Sequence, residues 1–239
     1  MNGHARYLQQ AAWTRGLRTY LFDKAGLAEA QRVLEVGCGT GAVLGEIHTP
    51  AALHGLDLEP EPLAQCRIHA VSASLTQGDA HFLPYPNRCF DIVYCHFLLL
   101  WVENPLQAVR EMARVGRAVI AFAEPDYSQR VDEPPALRPL GAWQTEALKR
   151  KGANPFFGAR LAETFYQAGI RLEETGPIQT SGGKRTAEEW ENEWAVMESD
   201  LSGWIADEDI QKMKTLDEQA RRRGRRVLRV PTYFAWGKT

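Results

Sequence analysis

Short apolar runs alternate with helical and polar stretches through the first half of the chain. Five runs rich in branched and aromatic residues predict strands at 32–36, 53–57, 75–78, 90–95 and 118–122. Strands that alternate with helices in this way usually pair in parallel, and the helices then cover both faces of the sheet. The pattern therefore predicts a doubly wound α/β fold.

Helix boundaries in this half are marked by residues with a preference for helix ends. Residues 6–30 have apolar positions at helical spacing and predict an N-terminal helix. Pro60 suits the first turn of a helix, where the missing N–H of proline costs nothing. Asn104 followed by Pro105 has the form of an N-cap and a first helical residue. A further helix is predicted directly after the glycine-rich residues 37–41.

The second half has a less regular pattern. Four prolines between positions 125 and 139 predict an irregular excursion after the fifth strand. Beyond it the pattern predicts a helix at 160–168, a strand at 170–180, a capping box at Thr186 and Glu189, a helix capped by Asp207 and a last strand at 232–236. Trp190 and Trp194 follow the capping box at helical spacing, which is typical of packing against the body of a domain or of lining a lid.

Three glycines follow the first strand at positions 37, 39 and 41. Glycine allows a sharp turn and a close approach of the backbone to a ligand, because it has no Cβ. The predicted helix after the turn would direct free N–H groups at a carboxylate or phosphate. Asp57 ends the second strand, where a carboxylate can accept hydrogen bonds from both hydroxyls of a ribose. These residues predict a site for a cofactor with a ribose and an anionic end.

Two further carboxylates, Glu35 and Asp79, help to distinguish S-adenosylmethionine from a dinucleotide cofactor. The spacing of Gly37, Gly39 and Ala42 also satisfies a loose dinucleotide pattern, so a nicotinamide or flavin enzyme is an alternative. Asp79, after the third strand, is placed to accept a hydrogen bond from an adenine amino group. Glu35 precedes the turn, where a carboxylate would repel a pyrophosphate and tolerate an ammonium or sulfonium group. Together they favour S-adenosylmethionine over a dinucleotide.

Five blocks in order resemble the motifs of class I S-adenosylmethionine-dependent methyltransferases. They read VLEVGCGTG at 33–41, GLD at 55–57, GDA at 78–80, LPYP at 83–86 and FDIV at 90–93. The similarity covers about residues 30–125 and is strongest to the small-molecule group that includes ubiquinone and menaquinone biosynthesis methyltransferases. A His-His pair that many relatives have after the fourth strand is replaced here by Leu100-Trp101, and the Pro-Gly-Gly before the fifth strand is shortened.

The resemblance implies a Rossmann-like sheet of seven mostly parallel strands with an antiparallel last strand. It implies that the turn holds the methionine part of the cofactor, Asp57 the ribose, and Asp79 with Ala80 the adenine. The full set of expected cofactor-binding residues is Glu35, Gly37, Cys38, Gly39, Gly41, Asp57, Leu58, Asp79, Ala80 and Cys95.

Catalytic candidates follow the fourth and fifth strands. His96 would lie at the ligand-binding edge of the sheet and is a candidate general base for a hydroxyl or amine acceptor; packing alone is the alternative. Glu124 and Asp126 close the fifth strand at the same edge, where a carboxylate can orient a substrate; a polar loop is the alternative. Methyl transfer from a sulfonium needs mainly positioning and desolvation, so a base is optional.

The amino-acid composition indicates which classes of ligand the protein is expected to bind. The net charge of −2 and the 44% content of hydrophobic residues fit a globular protein that binds a small molecule rather than nucleic acid. Five arginines at 221–226 are expected to be a solvated helix end. The four cysteines form no metal-ligand spacing and, with no apolar stretch long enough for a span or signal, favour a reducing cytoplasm. Nothing in the composition indicates an oligomeric state.

We therefore expect one catalytic domain, 1–239. Its core would comprise about 30–125, 158–181 and 229–239, and a helical cap would comprise about 1–29, 127–157 and 182–228, with Gly182-Gly183 as a hinge. The expected function is S-adenosylmethionine-dependent methyl transfer to a small molecule held between sheet edge and cap. The alternatives are a nicotinamide-dependent oxidoreductase and a non-catalytic adenosylmethionine-binding protein.

Overall fold

A seven-stranded sheet forms the centre of the molecule. The computed structural model describes residues 3–178 and 186–239. The strands of the sheet are β1 (Arg32–Val36), β2 (Ala52–Asp57), β3 (Ser74–Gln77), β4 (Phe90–Cys95), β5 (Gly116–Pro125), β7 (Arg171–Pro177) and β9 (Thr232–Lys238). Their order is β3-β2-β1-β4-β5-β9-β7, with β9 antiparallel to both neighbours. The predicted seven-stranded sheet with an antiparallel last strand is confirmed.

The described residues also form seven α-helices and a second, two-stranded sheet, in which β6 (Val131–Glu133) pairs with β8 (Val227–Arg229). The helices are α1 (Gly3–Lys24), α2 (Pro60–His69), α3 (Pro105–Val115), α4 (Arg138–Arg150), α5 (Leu161–Gln167), α6 (Ala187–Leu201) and α7 (Asp207–Arg222). Asn104 caps α3 through Gln107, and Thr186 and Glu189 form the predicted capping box. Asp207 does not cap α7, because the N-cap is Ala206.

The prediction of a helix directly after the glycine turn is wrong, because the described residues between β1 and β2 form no α-helix. A short 3₁₀ helix, Leu44–Glu46, follows the glycine turn, and the chain then forms a loop through Pro50 into β2. The connection from β1 to β2 covers residues 37–51, which is long enough for a helix, but after the glycine turn it contains Gly45 and Pro50, and both residue types disfavour a helix. The helix dipole invoked for anion binding at this turn is therefore missing.

The N-terminal helix packs beside this short connection. Ala11, Leu21 and Phe22 of α1 are buried in the same apolar cluster as Tyr94 and Phe122 of the central strands. The helix ends at Lys24, earlier than predicted, and a glycine with a positive φ of 80° follows at position 26. Residues 1–29 were expected to belong to the cap, whereas α1 is part of the layer that covers one face of the sheet.

The proline-rich stretch after β5 is more ordered than predicted. It contains β6 and the 13-residue helix α4, in whose first turn Pro139 lies. Apolar residues of α4, α6 and α7 form a third cluster, separate from the two that cover the sheet faces. We call β6, α4, α6, α7 and β8 the cap. Gly182-Gly183, the expected hinge, lies outside the described residues.

A buried ion network joins the elements of the cap. Asp132 of β6 accepts hydrogen bonds from Arg130 at 2.6 Å and from Arg226 at 2.8 Å, and Asp217 of α7 accepts from Arg226 at 2.5 Å. The side chains of these four residues are at most 5% exposed. Trp194 of α6 donates to Asp217 at 2.9 Å. The expectation that residues 221–226 are a solvated helix end is therefore wrong for Arg226.

No helix in the part of the chain that the structure describes is long and apolar enough to cross a membrane.

Candidate functional site

The glycine turn lies at the carboxyl edge of the sheet, between β1 and β2. Gly37, Gly39 and Gly41 have φ values of 73°, 51° and 80°, in the left-handed region that favours glycine. A Cβ on Gly37 would lie 2.6 Å from Leu98, and one on Gly41 would lie 2.8 Å from the Cys66 sulfur. A Cβ on Gly39 would meet no atom within 4 Å. Of the three glycines, Gly39 is therefore the one that faces open space.

Asp57 is held against this turn at the end of β2. Its Oδ2 accepts a hydrogen bond from the Gly39 N–H at 2.7 Å, and its Oδ1 accepts one from the Glu59 N–H at 3.0 Å. A carboxylate oxygen has more than one lone-pair direction, so each keeps room for another donor. Leu58, the next residue, is 58% exposed and offers an apolar surface beside the carboxylate.

Asp79 follows β3 and lies at the same edge. Its Oδ1 accepts hydrogen bonds from the His81 backbone N–H at 2.8 Å and from His81 Nδ1 at 2.7 Å. The backbone hydrogen bond is the main cause that lowers the pKa of Asp79, and the His81 ring adds to it. The Asp79 side chain is 44% exposed, whereas Ala80 is buried.

The structure buries three other residues expected to bind the cofactor. Glu35 is 2% exposed and accepts a hydrogen bond from the Tyr94 hydroxyl at 2.9 Å, and burial raises its pKa well above the usual range. The Cys38 side chain packs beneath the turn, where a Cβ on Gly55 would lie 2.9 Å from its sulfur. Cys95 is fully buried. The side chains of all three are thus buried within the protein, and that of Cys38 packs beneath the turn.

Glu124 binds backbone N–H groups of the loop after β4. Its carboxylate accepts hydrogen bonds from the N–H groups of Leu98, Leu99 and Leu100 at 3.1, 2.8 and 3.0 Å. Phe97 has a φ of 53°, and a left-handed residue followed by successive N–H groups forms an anion-binding nest. Burial raises the pKa of Glu124 to about 8, and the three hydrogen bonds act in the opposite direction. The geometry does not support direct contact of Glu124 with a substrate.

Asp126 also has a local role. It is 1% exposed, and its carboxylate accepts hydrogen bonds from the Ser128 N–H at 2.9 Å and from Gln129 Nε2 at 3.3 Å. It therefore caps the 3₁₀ turn Tyr127–Gln129 rather than facing a ligand. Burial raises the pKa of Tyr127, which lies beyond the end of β5.

His96 lies at the sheet edge as predicted, but α1 covers it. Its Nε2 is 3.0 Å from the Thr14 hydroxyl and is engaged whichever of the two is the donor. Burial, with the nearby Arg18 guanidinium, lowers the pKa of His96 to about 3. Nε2 is therefore not available to a substrate, whereas the ring is only half-buried and its Nδ1 makes no hydrogen bond within the described residues. The contact with Thr14 and the lowered pKa both disfavour the general-base role of His96, which stays a prediction.

Polar residues of α1 were missed by the sequence reasoning. Arg18 is 4% exposed and donates to Glu46 at 2.7 Å and to the Thr14 hydroxyl at 3.2 Å. His4 Nδ1 lies 2.8 Å from the hydroxyl of Thr40, inside the glycine turn. The apolar spacing of α1 gave no sign that these polar residues face inward, because their partners are distant in sequence.

These residues fit S-adenosylmethionine. The open position at Gly39, the spare lone pairs of Asp57, the exposed Leu58 and the half-exposed Asp79 lie at one sheet edge, in the order that a methionine, ribose and adenine would need. Within residues 3–178 and 186–239 no three His, Cys, Asp or Glu side chains are grouped so as to hold a metal ion.

Comparisons with known proteins agree with this geometry. Residues 34–118 match the family model described as a methyltransferase domain. A demethylmenaquinone methyltransferase of Tropheryma whipplei is 35% identical over 130 residues, which cover 50% of this chain and 52% of that protein. An uncharacterized protein of transposon TN4556 in Streptomyces fradiae is 29% identical over 186 residues, or 72% of this chain and 53% of that protein. The chain thus spans about half the length of these relatives.

The fold is also found in solved structures. A protein of Anabaena variabilis, assigned as a methyltransferase of an antibiotic biosynthesis pathway, superposes with a TM-score of 0.67 at 14% identity, over 97% of this chain and 100% of that one. Residues 34–118 therefore carry a methyltransferase domain. The family and the cofactor inferred from the five sequence blocks are thereby confirmed.

Proposed function

We propose that this protein transfers the methyl group of S-adenosylmethionine to a small-molecule acceptor bound at the carboxyl edge of the sheet. The observation that carries the proposal is the convergence of Gly39, Asp57 and Asp79 at that edge, each with an open position or spare acceptor capacity. The relatives that match the domain include methyltransferases named for quinone biosynthesis, which supports a small acceptor.

Each residue of the turn has a proposed role. The methionine part lies in the open space beside Gly39, and the Asp57 carboxylate accepts hydrogen bonds from the ribose hydroxyls. Asp79 accepts a hydrogen bond from the adenine amino group, and Leu58 packs against the purine. Gly37, Gly41, Cys38, Ala80, Cys95 and Glu35 shape the backbone beneath the ligand.

The bound cofactor supplies an electrophilic methyl group on a positively charged sulfur, which leaves as a neutral thioether. The task of the protein is then to hold an acceptor in line with that methyl group and to exclude water. The loop after β4 and the segment after β5 border this space, and we propose that the cap closes its outer side. Since His96, Glu124 and Asp126 are all engaged within the protein, we propose that no side chain of this set removes a proton from the acceptor.

The test uses the purified chain, methyl-labelled S-adenosylmethionine and an extract of small metabolites. A product heavier than its precursor by one methylene unit, formed by the wild type and lost in Asp57→Ala, is expected. Binding of the cofactor without any labelled product would favour the non-catalytic binding protein. Binding of a nicotinamide dinucleotide in place of S-adenosylhomocysteine would favour the oxidoreductase.

A further inference from the structure

His81 lies between the adenine side of the site and the start of a helix. Its Nδ1 is 2.7 Å from Asp79 Oδ1, and its Nε2 accepts a hydrogen bond from the Asn104 backbone N–H at 3.1 Å. Asn104 is the N-cap of α3, where its side chain accepts from the Gln107 N–H at 3.1 Å. His81 thus connects the Asp79 carboxylate to the rigid end of α3.

The hydrogen bond from Asn104 decides the tautomer of His81. A backbone N–H can only donate, so Nε2 must hold a lone pair and the ring proton must be on Nδ1. The Nδ1–H then donates to Asp79 Oδ1, which also accepts the His81 backbone N–H at 2.8 Å. Two donors on one oxygen fix the rotation of the carboxylate. The other oxygen, Oδ2, accepts no hydrogen bond within the described residues.

We propose that His81 is a positioning residue that selects adenine: it turns Asp79 so that Oδ2 faces the exocyclic amino group of the purine. This inference rests on the proposed function, because it needs the adenine beside Asp79. His81 itself does not touch the ligand and acts only through the carboxylate. Its side chain is 17% exposed and that of Asp79 is 44% exposed, which places the histidine behind the carboxylate relative to solvent.

The selectivity follows from the chemistry of the purine edge. Adenine presents an amino group to Oδ2, whereas a 6-oxopurine presents a carbonyl oxygen, which a carboxylate repels. A carboxylate that rotates freely can turn away from that oxygen, so it discriminates less. Removal of the His81 side chain should therefore lower the preference for adenine as well as the affinity.

The experiment measures the affinities of the full chain for S-adenosylhomocysteine and for its 6-oxopurine analogue, S-inosylhomocysteine, by calorimetry. In His81→Leu we expect adenosylhomocysteine to bind about tenfold more weakly and the preference over the inosyl analogue to fall about fivefold. In His81→Gln, whose amide has both a donor and an acceptor, we expect affinity within about threefold of wild type. In the wild type, nitrogen chemical shifts should show the proton on Nδ1.

Combination with Asp79→Ala separates the possible outcomes. If His81 acts through Asp79, then His81→Leu should cause no further loss in an Asp79→Ala background. Equal losses in both backgrounds, an unchanged purine preference in His81→Leu or a proton on Nε2 would overturn the positioning role while the proposed cofactor site stands. Unchanged affinity in Asp79→Ala would instead show that the adenine lies elsewhere, and both proposals would then fail.

Discussion

The Glu124 carboxylate accepts a hydrogen bond from the backbone N–H of Leu98 at 3.1 Å. The side chain of Leu98 packs against the turn, 2.6 Å from the position that a Cβ on Gly37 would take. A carboxylate at the end of β5 therefore holds the loop after β4 against the cofactor turn. The loop also contains Phe97 in the left-handed region, a conformation that costs free energy and must be offset by contacts such as these.

Glu124→Gln should disturb this loop with almost no change in size. An amide can accept N–H bonds at its oxygen, but its NH₂ group would face at least one of the three loop N–H groups, donor to donor. We expect a loss of about 1–3 kcal/mol in the free energy of unfolding and a several-fold weaker affinity for S-adenosylhomocysteine. Chemical denaturation and calorimetry measure the two effects.

The matched control is Glu163→Gln, on the exposed side of α5, where the carboxylate accepts from Gln167 Nε2. It should leave both quantities near wild type. A Glu124→Gln protein with the stability and affinity of the wild type would show that the loop holds its shape without the carboxylate.

The cofactor turn was predictable because its chemistry is local. Glycine at 37, 39 and 41 permits the positive φ values that the structure has, and Asp57 ends a strand that any hydrophobic pattern reveals. The sequence did not show that Gly37 and Gly41 are packed against side chains while Gly39 is open. That distinction depends on Leu98 and Cys66, which reach Gly37 and Gly41 from other parts of the chain.

Three predictions from the sequence were wrong, and each error has a physical cause. The helix after the turn was predicted from the succession of strand and glycine turn, yet Gly45 and Pro50 disfavour a helix in the residues that follow. Pro139 suggested irregular chain but lies in the first turn of α4, where proline is tolerated. Arg226 looked solvated because its partner Asp132 is 94 residues away. Long-range pairing of charges leaves no local pattern.

Asp57→Ala should weaken cofactor binding without unfolding the protein. It removes an acceptor for two ribose hydroxyls, and a hydrogen bond to a charged group contributes about 1.5–3 kcal/mol. We expect S-adenosylhomocysteine to bind at least tenfold more weakly in calorimetry. Asp91→Ala is the control, because Asp91 accepts backbone N–H bonds from residues 31 and 32 at the opposite edge of the sheet. Equal affinity in wild type and Asp57→Ala would move the ribose elsewhere.

Gly39 should be the glycine whose substitution affects binding most selectively. Gly39→Asn is compatible with the left-handed region, whereas Gly39→Val is strained there. Both place a side chain in the open space beside Asp57, so both should abolish detectable binding of S-adenosylhomocysteine, while only Val should lower the melting temperature clearly. Normal binding by Gly39→Asn would show that this space does not hold the ligand.

The buried charges of the cap should be sensitive to the loss of one partner. Asp217→Ala leaves the Trp194 N–H without its acceptor and leaves Arg130 and Arg226 to share the single carboxylate of Asp132, and breaking a buried ion pair costs about 3–5 kcal/mol. Denaturation should show this loss, or hydrogen exchange should show local opening of α6 and α7. The control Glu218→Ala removes an exposed pair with Arg222 at 3.7 Å and should cost at most about 1 kcal/mol. Similar effects of the two variants would contradict the network.

His96 should make the docking of α1 dependent on pH. Its folded pKa of about 3 lies below the ordinary value of 6.5, so the unfolded chain binds the proton more readily. Stability from the neutral ring is therefore complete above pH 6.5 and is lost as the pH falls towards 3, by up to about 1.4 kcal/mol per pH unit. Between pH 6.5 and 5 the loss in the free energy of unfolding is at most about 2 kcal/mol, and most carboxylates titrate only below this range.

The measurement compares the wild type with His96→Gln and Thr14→Val over that range. His96→Gln cannot bind a proton and should lose the part of the pH slope that His96 contributes, whereas Thr14→Val should keep most of it, since burial is the main cause of the shift. If α1 detaches locally instead, faster hydrogen exchange in Gly3–Lys24 of the wild type at pH 5 would report it. Identical pH slopes and exchange in wild type and His96→Gln would mean that His96 is accessible to water and protonates normally. A ring that protonates normally could act as a general base, and His96→Gln should then lower the rate of methyl transfer more than the affinity for the cofactor.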